Sequence, residues 1–319
     1  MNKKKISLDK ILILTLIGVA FYSVMIFLSD LQLILSILKK INYNMLPIII
    51  LSLSTMILAG IRYHILLRGL DIDCNISKSI SISLIGQSML ATPGKLGNFI
   101  KCVILKREIN TPFSVSLPSV IAEQMLEILS IAVILMFFSI WINVIEAKII
   151  LTILIGIITI SSLGLYNDTI FFKIYNILYK IKYLRNILEK GKESRKGLKK
   201  LFSFQILIKT VPLSLTSKLI QVLMIFLIFE MFNVDLGFVL AGIIYNTSLV
   251  IGVLSFIPGG LIITDGSMIS LIIKNGINIS VATVAVIVIR FFTLWFSVVI
   301  GFISLKLLNS KKSILTDDD

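Results

Sequence analysis

The sequence predicts an all-α protein that crosses a membrane several times. Of its 319 residues, 57% are hydrophobic and only 15% are charged, whereas soluble domains average about 45–50% apolar and about 25% charged residues. Several apolar runs reach about 20 residues, the length that a helix needs to cross the hydrocarbon core. This composition excludes a soluble enzyme of the ordinary type and a disordered protein.

Seven apolar runs are long enough to be full spans. The first follows Lys3, Lys4 and Lys5, is too long for the core of a signal peptide and has no small-residue cleavage site after it. It predicts an uncleaved first span with a cytoplasmic N-terminus. The predicted spans cover about residues 11–29, 45–61, 117–141, 148–166, 205–229, 237–257 and 279–305.

Basic residues between the apolar runs set the predicted topology. The chain has 31 Lys and Arg against 17 Asp and Glu, a formal net charge of +14. Because few aromatic residues accompany them, these cations indicate cytoplasmic loops and attraction to anionic lipid rather than nucleic-acid binding. We therefore expect a multi-pass protein of the cell membrane, with membrane lipids as partners and no nucleic acid.

The most basic part of the chain, residues 167–204, is predicted to be cytoplasmic or interfacial. Its apolar residues Ile170, Ile174, Ile177 and Ile181 recur at helical spacing. A helix with one apolar face and a lysine-rich remainder is typical of the membrane interface. A solvated connector is the alternative.

Two further apolar segments are interrupted by proline and glycine. Their halves are too short to cross a bilayer, and the freed backbone groups are tolerated only inside protein or beside a wet cavity. We expect two re-entrant or broken segments, the first returning to the cytoplasm because Lys78 and Lys101 flank it. The two motifs are Pro93, Gly94, Lys95, Leu96 and Gly97, and Pro258, Gly259 and Gly260.

The two interrupted segments occupy comparable places in the two halves of the chain. Such a pair is typical of transporters that are built from structural repeats, with the binding site where the repeats meet. We predict a single membrane domain over residues 1–319, with repeats at 1–166 and 205–310 joined by residues 167–204. The sequence leaves open whether the repeats are inverted or parallel.

Charged residues inside the predicted spans indicate a polar cavity. Each costs about 2.5–3.5 kcal/mol to insert, so each is a functional candidate. Arginine and lysine would hold a phosphate, for which the planar guanidinium is well suited, and the glutamates would hold a cationic group. The predicted cavity residues are Arg290, Lys218, Glu123, Glu127, Gln124, Asn246 and Asp265.

A purely structural role for these charges is the alternative. In that interpretation, Glu127–Arg290 and Glu123–Lys218 are buried ion pairs that neutralise each other. The combination of acids and bases favours a lipid headgroup over an inorganic ion, because the sequence contains neither a ring-like repeat of acids nor a carbonyl filter signature.

The sequence offers little for a catalytic or metal site. His64 is the only histidine and lies beside Arg62 and Tyr63, where an interfacial anchor is the simpler interpretation. Cys74 and Cys102 lack the paired spacing of a metal site. We expect no catalytic residue, no metal and no cofactor. A nucleotide-binding GxxxxGK[ST] motif is absent, so we do not expect ATP hydrolysis by this chain.

Four motifs follow one another along nearly the whole chain: Pro93-Gly94-Lys95-Leu96-Gly97, Glu123-Gln124-Met125-Leu126-Glu127, Pro258-Gly259-Gly260-Leu261, and Arg290 followed by Trp295 and Gly301. Together they resemble the lysylphosphatidylglycerol synthase membrane-domain family, also described as flippase-like. Asn98, Ile262, Thr264 and Asp265 depart from the family pattern, so the family's headgroup specificity is not carried over.

The resemblance implies a flippase or scramblase that moves aminoacylated phosphatidylglycerol, another charged phospholipid or a polyprenyl-linked lipid between leaflets. In bifunctional members, a soluble C-terminal domain transfers lysine from aminoacyl-tRNA to phosphatidylglycerol. This chain ends at Asp319, soon after its last predicted span. We therefore expect a stand-alone membrane domain without that transferase activity.

Two other functions stay open. Asp71 and Asp73 form an Asp-x-Asp motif that would hold a divalent cation in a glycosyl- or phosphotransferase, although a solvated turn is the simpler interpretation. The chain would otherwise be a lipid-presenting scaffold for a separate lipid-modifying enzyme. The sequence does not determine the oligomeric state or the energy source.

Overall fold

The computed structural model describes residues 45–89, 98–167, 169, 191–255, 257, 260 and 262–316. Within this part of the chain the regular structure is helical throughout. The predicted first span at residues 11–29, the motif at 93–97 and the interfacial face beginning at Ile170 lie outside the described residues, as do Pro258 and Gly259.

The helices of the described part are numbered in chain order. They are α1 (Met45–Gly69), α2 (Ile76–Gln87), α3 (Ile100–Ile109), α4 (Phe113–Trp141), α5 (Ile145–Tyr166), α6 (Gly191–Leu201), α7 (Phe204–Met231), α8 (Gly237–Leu254), α9 (Ile263–Lys274), α10 (Ile279–Arg290) and α11 (Phe296–Thr316). A π-helical turn, Phe291–Trp295, joins α10 to α11.

Six helices in the described part are long and apolar enough to cross a membrane. They are α1, α4, α5, α7, α8 and the continuous helix Ile279–Leu308. Each coincides with one of the predicted spans from the second to the seventh. The prediction of an all-α, multi-span membrane protein is therefore confirmed.

Helix α1 continues past its predicted end near residue 61. It runs to Gly69, because Arg62 does not have to leave the membrane to find polar partners. The Arg62 NH1 group donates to Ser214 Oγ at 3.0 Å, and the next residue, Tyr63, is completely buried. The helix therefore extends beyond the end of the predicted span.

Helices α2, α3 and α9 are the short halves of the interrupted segments. They contain 12, 10 and 12 residues, too few to cross the hydrocarbon core at 1.5 Å per residue. The Asn75 side chain caps α2 by accepting from the Ser77 amide. A left-handed Asn110, with φ of 53°, ends α3. Helices α2 and α3 form one hairpin, and α9 forms a second hairpin with the long helix α8 before it.

Helices α1 and α7 pack antiparallel at the centre of the bundle. Near the start of α1, Ile48 packs in one cluster with Ile225 and Ile228 of α7. At the other end of α1, the Gly69 backbone lies against Ile206. Between these points, Ser217 Oγ donates to the Thr55 carbonyl at 3.5 Å. The pair forms the axis around which the hairpins are arranged.

The two hairpins enter the bundle from opposite ends. The base of α2–α3 packs at the C-terminal end of α1, where Ile72 and Ile109 contact Leu67. The base of α8–α9 packs at the N-terminal end of α1, where Leu236 and Ile272 share a cluster with Ile48. Helix α2 of the first hairpin and helix α9 of the second both contribute to one polar interior, through Gln87 and Thr264.

One end of the bundle is strongly basic, and we call it the basic end. Its described cations include Arg68, Lys78, Lys106, Arg107, Arg195, Lys196, Lys199 and Lys200. Helix α6 lies across this end, where Ser194 Oγ donates to the Ser114 carbonyl of α4 and Arg195 Nε donates to the Leu165 carbonyl of α5. Among the described residues of the opposite end, the cations are Lys148 and Lys274.

Candidate functional site

A polar cavity of about 180 Å³ lies where the hairpin helices α2, α3, α8 and α9 meet the central helices. Helices α1, α4 and α7 supply its long walls, and the two hairpins and the α10–α11 helix close it. Its charged wall residues are Arg62, Lys101, Glu123, Glu127, Lys218 and Arg290. Four of these six side chains, those of Lys101, Glu123, Lys218 and Arg290, are buried.

Glu123 of α4 binds two cations in the cavity wall. Its Oε2 atom accepts from Lys101 Nζ at 2.7 Å, and its Oε1 atom lies 3.8 Å from Arg62 NH2. The Lys101 ammonium also lies 4.8 Å from the centre of the Tyr63 ring, a favourable cation–π distance. The short helix α3 thus delivers a lysine to the α1–α4 wall.

Lys101 fits beside α2 because residue 86 is glycine. A Cβ atom at Gly86 would lie 2.1 Å from Lys101 Cε. From the sequence, Lys101 was interpreted only as a flanking charge and Arg62 only as a neighbour of His64 beyond the predicted span, so both were missed as cavity residues. The signal for Lys101 was its place two residues into an apolar half-helix.

Glu127 and Lys218 form a second charged pair, between α4 and α7. The Lys218 Nζ atom lies 3.6 Å from Glu127 Oε1 and donates to Gln221 Oε1 at 2.9 Å. The hydroxyl of Tyr245, on α8, donates to the same Gln221 oxygen at 3.5 Å. This network ties the lysine to two neighbouring helices.

Arg290 and Asp265 form a third pair, between α10 and the first turn of α9. The Arg290 Nε atom lies 2.6 Å from Asp265 Oδ1, and both side chains are almost completely buried. Gly260, with φ of +64°, allows the turn before α9 to come close to Thr264, which is itself in the cavity wall. Asp265 therefore holds the arginine from behind the wall.

The pairing that the sequence suggested was wrong. Glu127 pairs with Lys218 rather than Arg290, and Glu123 pairs with Lys101 rather than Lys218. The physical reason lies in the half-helices, because α3 and α9 bring Lys101 and Asp265 to the spans. Their position relative to the spans could not be derived from periodicity.

Of the remaining predicted cavity residues, Gln124 lies in the cavity wall and Asn246 does not. Gln124 lines the cavity together with its neighbours Glu123 and Glu127. Asn246 is buried outside the cavity wall, where its Nδ2 atom donates to the Gly242 carbonyl of its own helix at 2.8 Å.

The rival motifs have partners of their own. Asp71 pairs with Lys200, and Asp73 lies 3.3 Å from Arg68 on the exposed basic end. His64 Nδ1 lies 3.1 Å from Ser79 Oγ, which links α1 to α2. These contacts describe charged turns and a helix–helix link, away from the cavity.

The sequence matches a known family over most of its length. A profile of the family described as the lysylphosphatidylglycerol synthase TM region matches residues 15–301. The chain belongs to this family. The resemblance that the four motifs carried is thereby confirmed, and the cavity charges of α4 and α10 lie within the matched range.

A UPF0104 membrane protein of Methanothermobacter thermautotrophicus is a more distant relative. It is 26% identical to this chain over 108 residues, which cover 34% of this chain and 32% of that protein. The alignment thus spans about a third of the length of that relative. It agrees with membership in a family of membrane proteins.

Proposed function

We propose that this protein is a flippase or scramblase that moves a charged phospholipid between leaflets. The observation that carries the proposal is the buried cavity, whose wall combines cations with carboxylates in the middle of apolar helices. Aminoacylated phosphatidylglycerol or a similar lipid has both matching groups, a phosphate and an amine. A polyprenyl-linked phosphate is a second substrate of the same class.

The composition of the cavity supports a headgroup over a small ion. Burying a charge among lipid-facing helices is costly, and such residues usually mark a substrate path. The cations of the cavity wall would bind a phosphate, and its carboxylates would bind an amine or compensate for the cations between transport steps. Serine, threonine, asparagine, glutamine and tyrosine side chains form the rest of the polar wall, and they would provide hydrogen bonds for glycerol or sugar hydroxyls.

We further propose that residues 1–166 and 205–310 contain inverted structural repeats. The antiparallel packing of α1 and α7 supports inversion, as do the opposite entry directions of the α2–α3 and α8–α9 hairpins. Each half also has one ion pair between a half-helix and the long helix after it. These pairs are Lys101–Glu123 and Asp265–Arg290. The half-helix supplies the cation in the first pair and the carboxylate in the second.

Inverted repeats favour a transporter over an enzyme that acts on one side of the membrane. In transporters of this type, one repeat rocks against the other, so that a central site is exposed to the two sides in turn. The cavity lies at the contact between the two halves, with wall residues from both. This arrangement supports movement of a headgroup through the protein.

A role in lipid modification is the second candidate. The exposed residues Lys196, Lys199 and Lys200 of α6 would dock a separate lipid-modifying enzyme, to which the cavity would present its lipid. In that case the protein would co-purify with a stoichiometric enzyme partner and would support little leaflet exchange alone.

Leaflet exchange in proteoliposomes tests the proposal. Labelled anionic, zwitterionic and lysylated phospholipids are compared for the wild-type protein, Arg290→Ala and the control Lys274→Ala, which removes an exposed cation paired with Glu146. We expect exchange by the wild type and the control, and loss of exchange in Arg290→Ala. Well-folded wild-type protein without any exchange would favour the lipid-modification role, and full exchange by Arg290→Ala would contradict the cavity assignment.

A further inference from the structure

We infer that the phosphate of the ligand binds at Arg62 and Lys101, rather than at Arg290 and Lys218. This inference rests on the proposed function, because it names the substrate subsite of the same cavity. The site consists of the α1 arginine, the α3 lysine and their shared partner Glu123. The ligand class is a lipid headgroup that contains a phosphate.

The distribution of charge in the cavity is the first argument. Arg290 has Asp265 at 2.6 Å, and Lys218 has Glu127 at 3.6 Å, so each of these cations has a carboxylate of its own. Arg62 and Lys101 share the single carboxylate of Glu123, at 3.8 Å and 2.7 Å. Among the described residues of this cavity, the uncompensated positive charge therefore lies at Arg62 and Lys101, which share one carboxylate.

Burial raises the free-energy cost of this uncompensated positive charge. The side chains of Lys101 and Glu123 are 5% and 4% exposed, and that of Arg62 is 12% exposed. A buried charge without full compensation costs several kcal/mol, and arginine cannot escape the cost by losing its proton. An anionic ligand would supply the missing negative charge, so the excess of cations at this site favours binding of an anion.

Unused hydrogen-bond donors are the second argument. Arg62 NH1 donates to Ser214, but Arg62 Nε is buried without a hydrogen-bond partner among the described residues. In the same cavity wall, the buried hydroxyl of Ser83 also lacks such a partner. Buried donors are rarely left unsatisfied, and both can donate to phosphate oxygens.

The packing of α2 against α1 brings these groups to one wall. Ile80 of α2 lies directly against the Gly60 backbone of α1, and Ser83 lies one turn after Ile80 on α2. Arginine makes two parallel hydrogen bonds to a phosphate, and lysine adds a point charge. In this geometry the phosphate competes with the Glu123 carboxylate for Arg62 and replaces it there. Lys101 then binds both the phosphate and the Glu123 carboxylate.

Binding to purified protein in a neutral detergent tests the site with a short-chain labelled phosphatidylglycerol as the probe. We expect Arg62→Gln to weaken binding about 10- to 100-fold, the range for hydrogen bonds to a charged group, and Arg290→Gln to weaken it less. Lys274→Gln is the surface control. Equal affinity of Arg62→Gln and the wild type would overturn the inference, as would a larger loss in Arg290→Gln.

Glu123→Gln gives a result that misfolding cannot imitate. Removing the competing carboxylate frees both cations, so we expect tighter binding of the probe and a larger rise of Tm on adding it than in the wild type. Weaker binding by a folded Glu123→Gln variant would overturn the inference. Its fold is checked by size-exclusion chromatography beside the wild type.

Competition experiments distinguish a lipid headgroup from free phosphate as the ligand of this site. Inorganic phosphate, deacylated glycerophosphoglycerol and intact short-chain phosphatidylglycerol each compete with the labelled probe. Competition by the intact lipid at the lowest concentration supports a lipid headgroup, and equal competition by inorganic phosphate would overturn the lipid assignment. If Arg62→Gln loses binding while the wild type shows no leaflet exchange, the site stands and the transport proposal fails.

Discussion

Glycines determine how closely the charged side chains of the cavity are packed. Gly86 leaves space for the stem of Lys101, and Gly252 with Gly260 leaves space for Thr264. A methyl group at residue 252 would lie 1.7 Å from Thr264 Oγ1. These contacts fix the two hairpin tips against the ion pairs, so small substitutions here act on the site through packing.

Replacing Gly86 by alanine should displace Lys101 from Glu123. The new Cβ would lie 2.1 Å from Lys101 Cε and 2.9 Å from its Cγ, and such overpacking costs about 1–3 kcal/mol. We expect a lower Tm in detergent and reduced leaflet exchange. The matched control is Gly156→Ala, where nothing lies within 4 Å of the new Cβ. Equal behaviour of the two variants would contradict this role for Gly86.

Asp265→Asn should destabilise the protein, because it leaves the buried Arg290 guanidinium without its carboxylate. Removing one partner of a buried pair costs about 3–5 kcal/mol, whereas replacing both by apolar residues is often neutral. We expect Asp265→Leu with Arg290→Leu to recover most of the Tm without recovering exchange. Thermal unfolding and exchange measured on the same preparations check this, and a double variant that still exchanges lipid would show that the pair is only structural.

At the scale of the elements, the hairpins are held by backbone contact with their neighbours. A Cβ at Gly301 of α11 would lie 2.5 Å from the Ser88 nitrogen and 2.6 Å from the Leu84 carbonyl oxygen. This contact fixes the end of α2, which brings Gln87 to the cavity. The position of a half-helix therefore depends on a glycine far away in the sequence.

Gly301→Ala should separate α11 from α2. Backbone atoms cannot move aside as a flexible side chain can, so we expect a larger loss of Tm than for Gly86→Ala, together with reduced leaflet exchange. Differential scanning fluorimetry in detergent measures the first quantity. A Tm within error of the Gly156→Ala control would show that α11 and α2 are not in close contact in the membrane.

At the scale of the whole molecule, the charges at the two ends of the bundle predict its orientation. The basic end has most of the described cations outside the cavity, so the positive-inside rule predicts that this end is cytoplasmic. The antiparallel arrangement of α1 and α7 then places the base of the α8–α9 hairpin on the outer side. Together with the first span that the sequence predicts at residues 11–29, this orientation agrees with the predicted cytoplasmic N-terminus.

Cysteine labelling in intact cells checks the orientation. In a background without Cys74 and Cys102, we expect Asp71→Cys at the basic end to resist a membrane-impermeant maleimide until the cells are permeabilised. Asn233→Cys, in the turn between α7 and α8, should react in intact cells. Labelling of both positions from the same side would contradict the antiparallel arrangement.

Local signals determined the helical membrane fold and the location of its spans, because apolar length and composition are properties of a segment alone. The same signals found Glu123, Glu127, Lys218 and Arg290, because a charge inside an apolar run needs no partner to be recognised. Motif order along the chain likewise sufficed to identify the family.

The tertiary structure decided which charges meet. Lys101 and Asp265 lie on half-helices whose position depends on glycine contacts between distant segments, and Arg62 stays inside the bundle because α4 and α7 supply its partners. Pairing between helices depends on their packing in three dimensions, which periodicity along one segment does not specify. For this reason the sequence identified four of the six charged wall residues, but not that Arg62 and Lys101 share the carboxylate of Glu123.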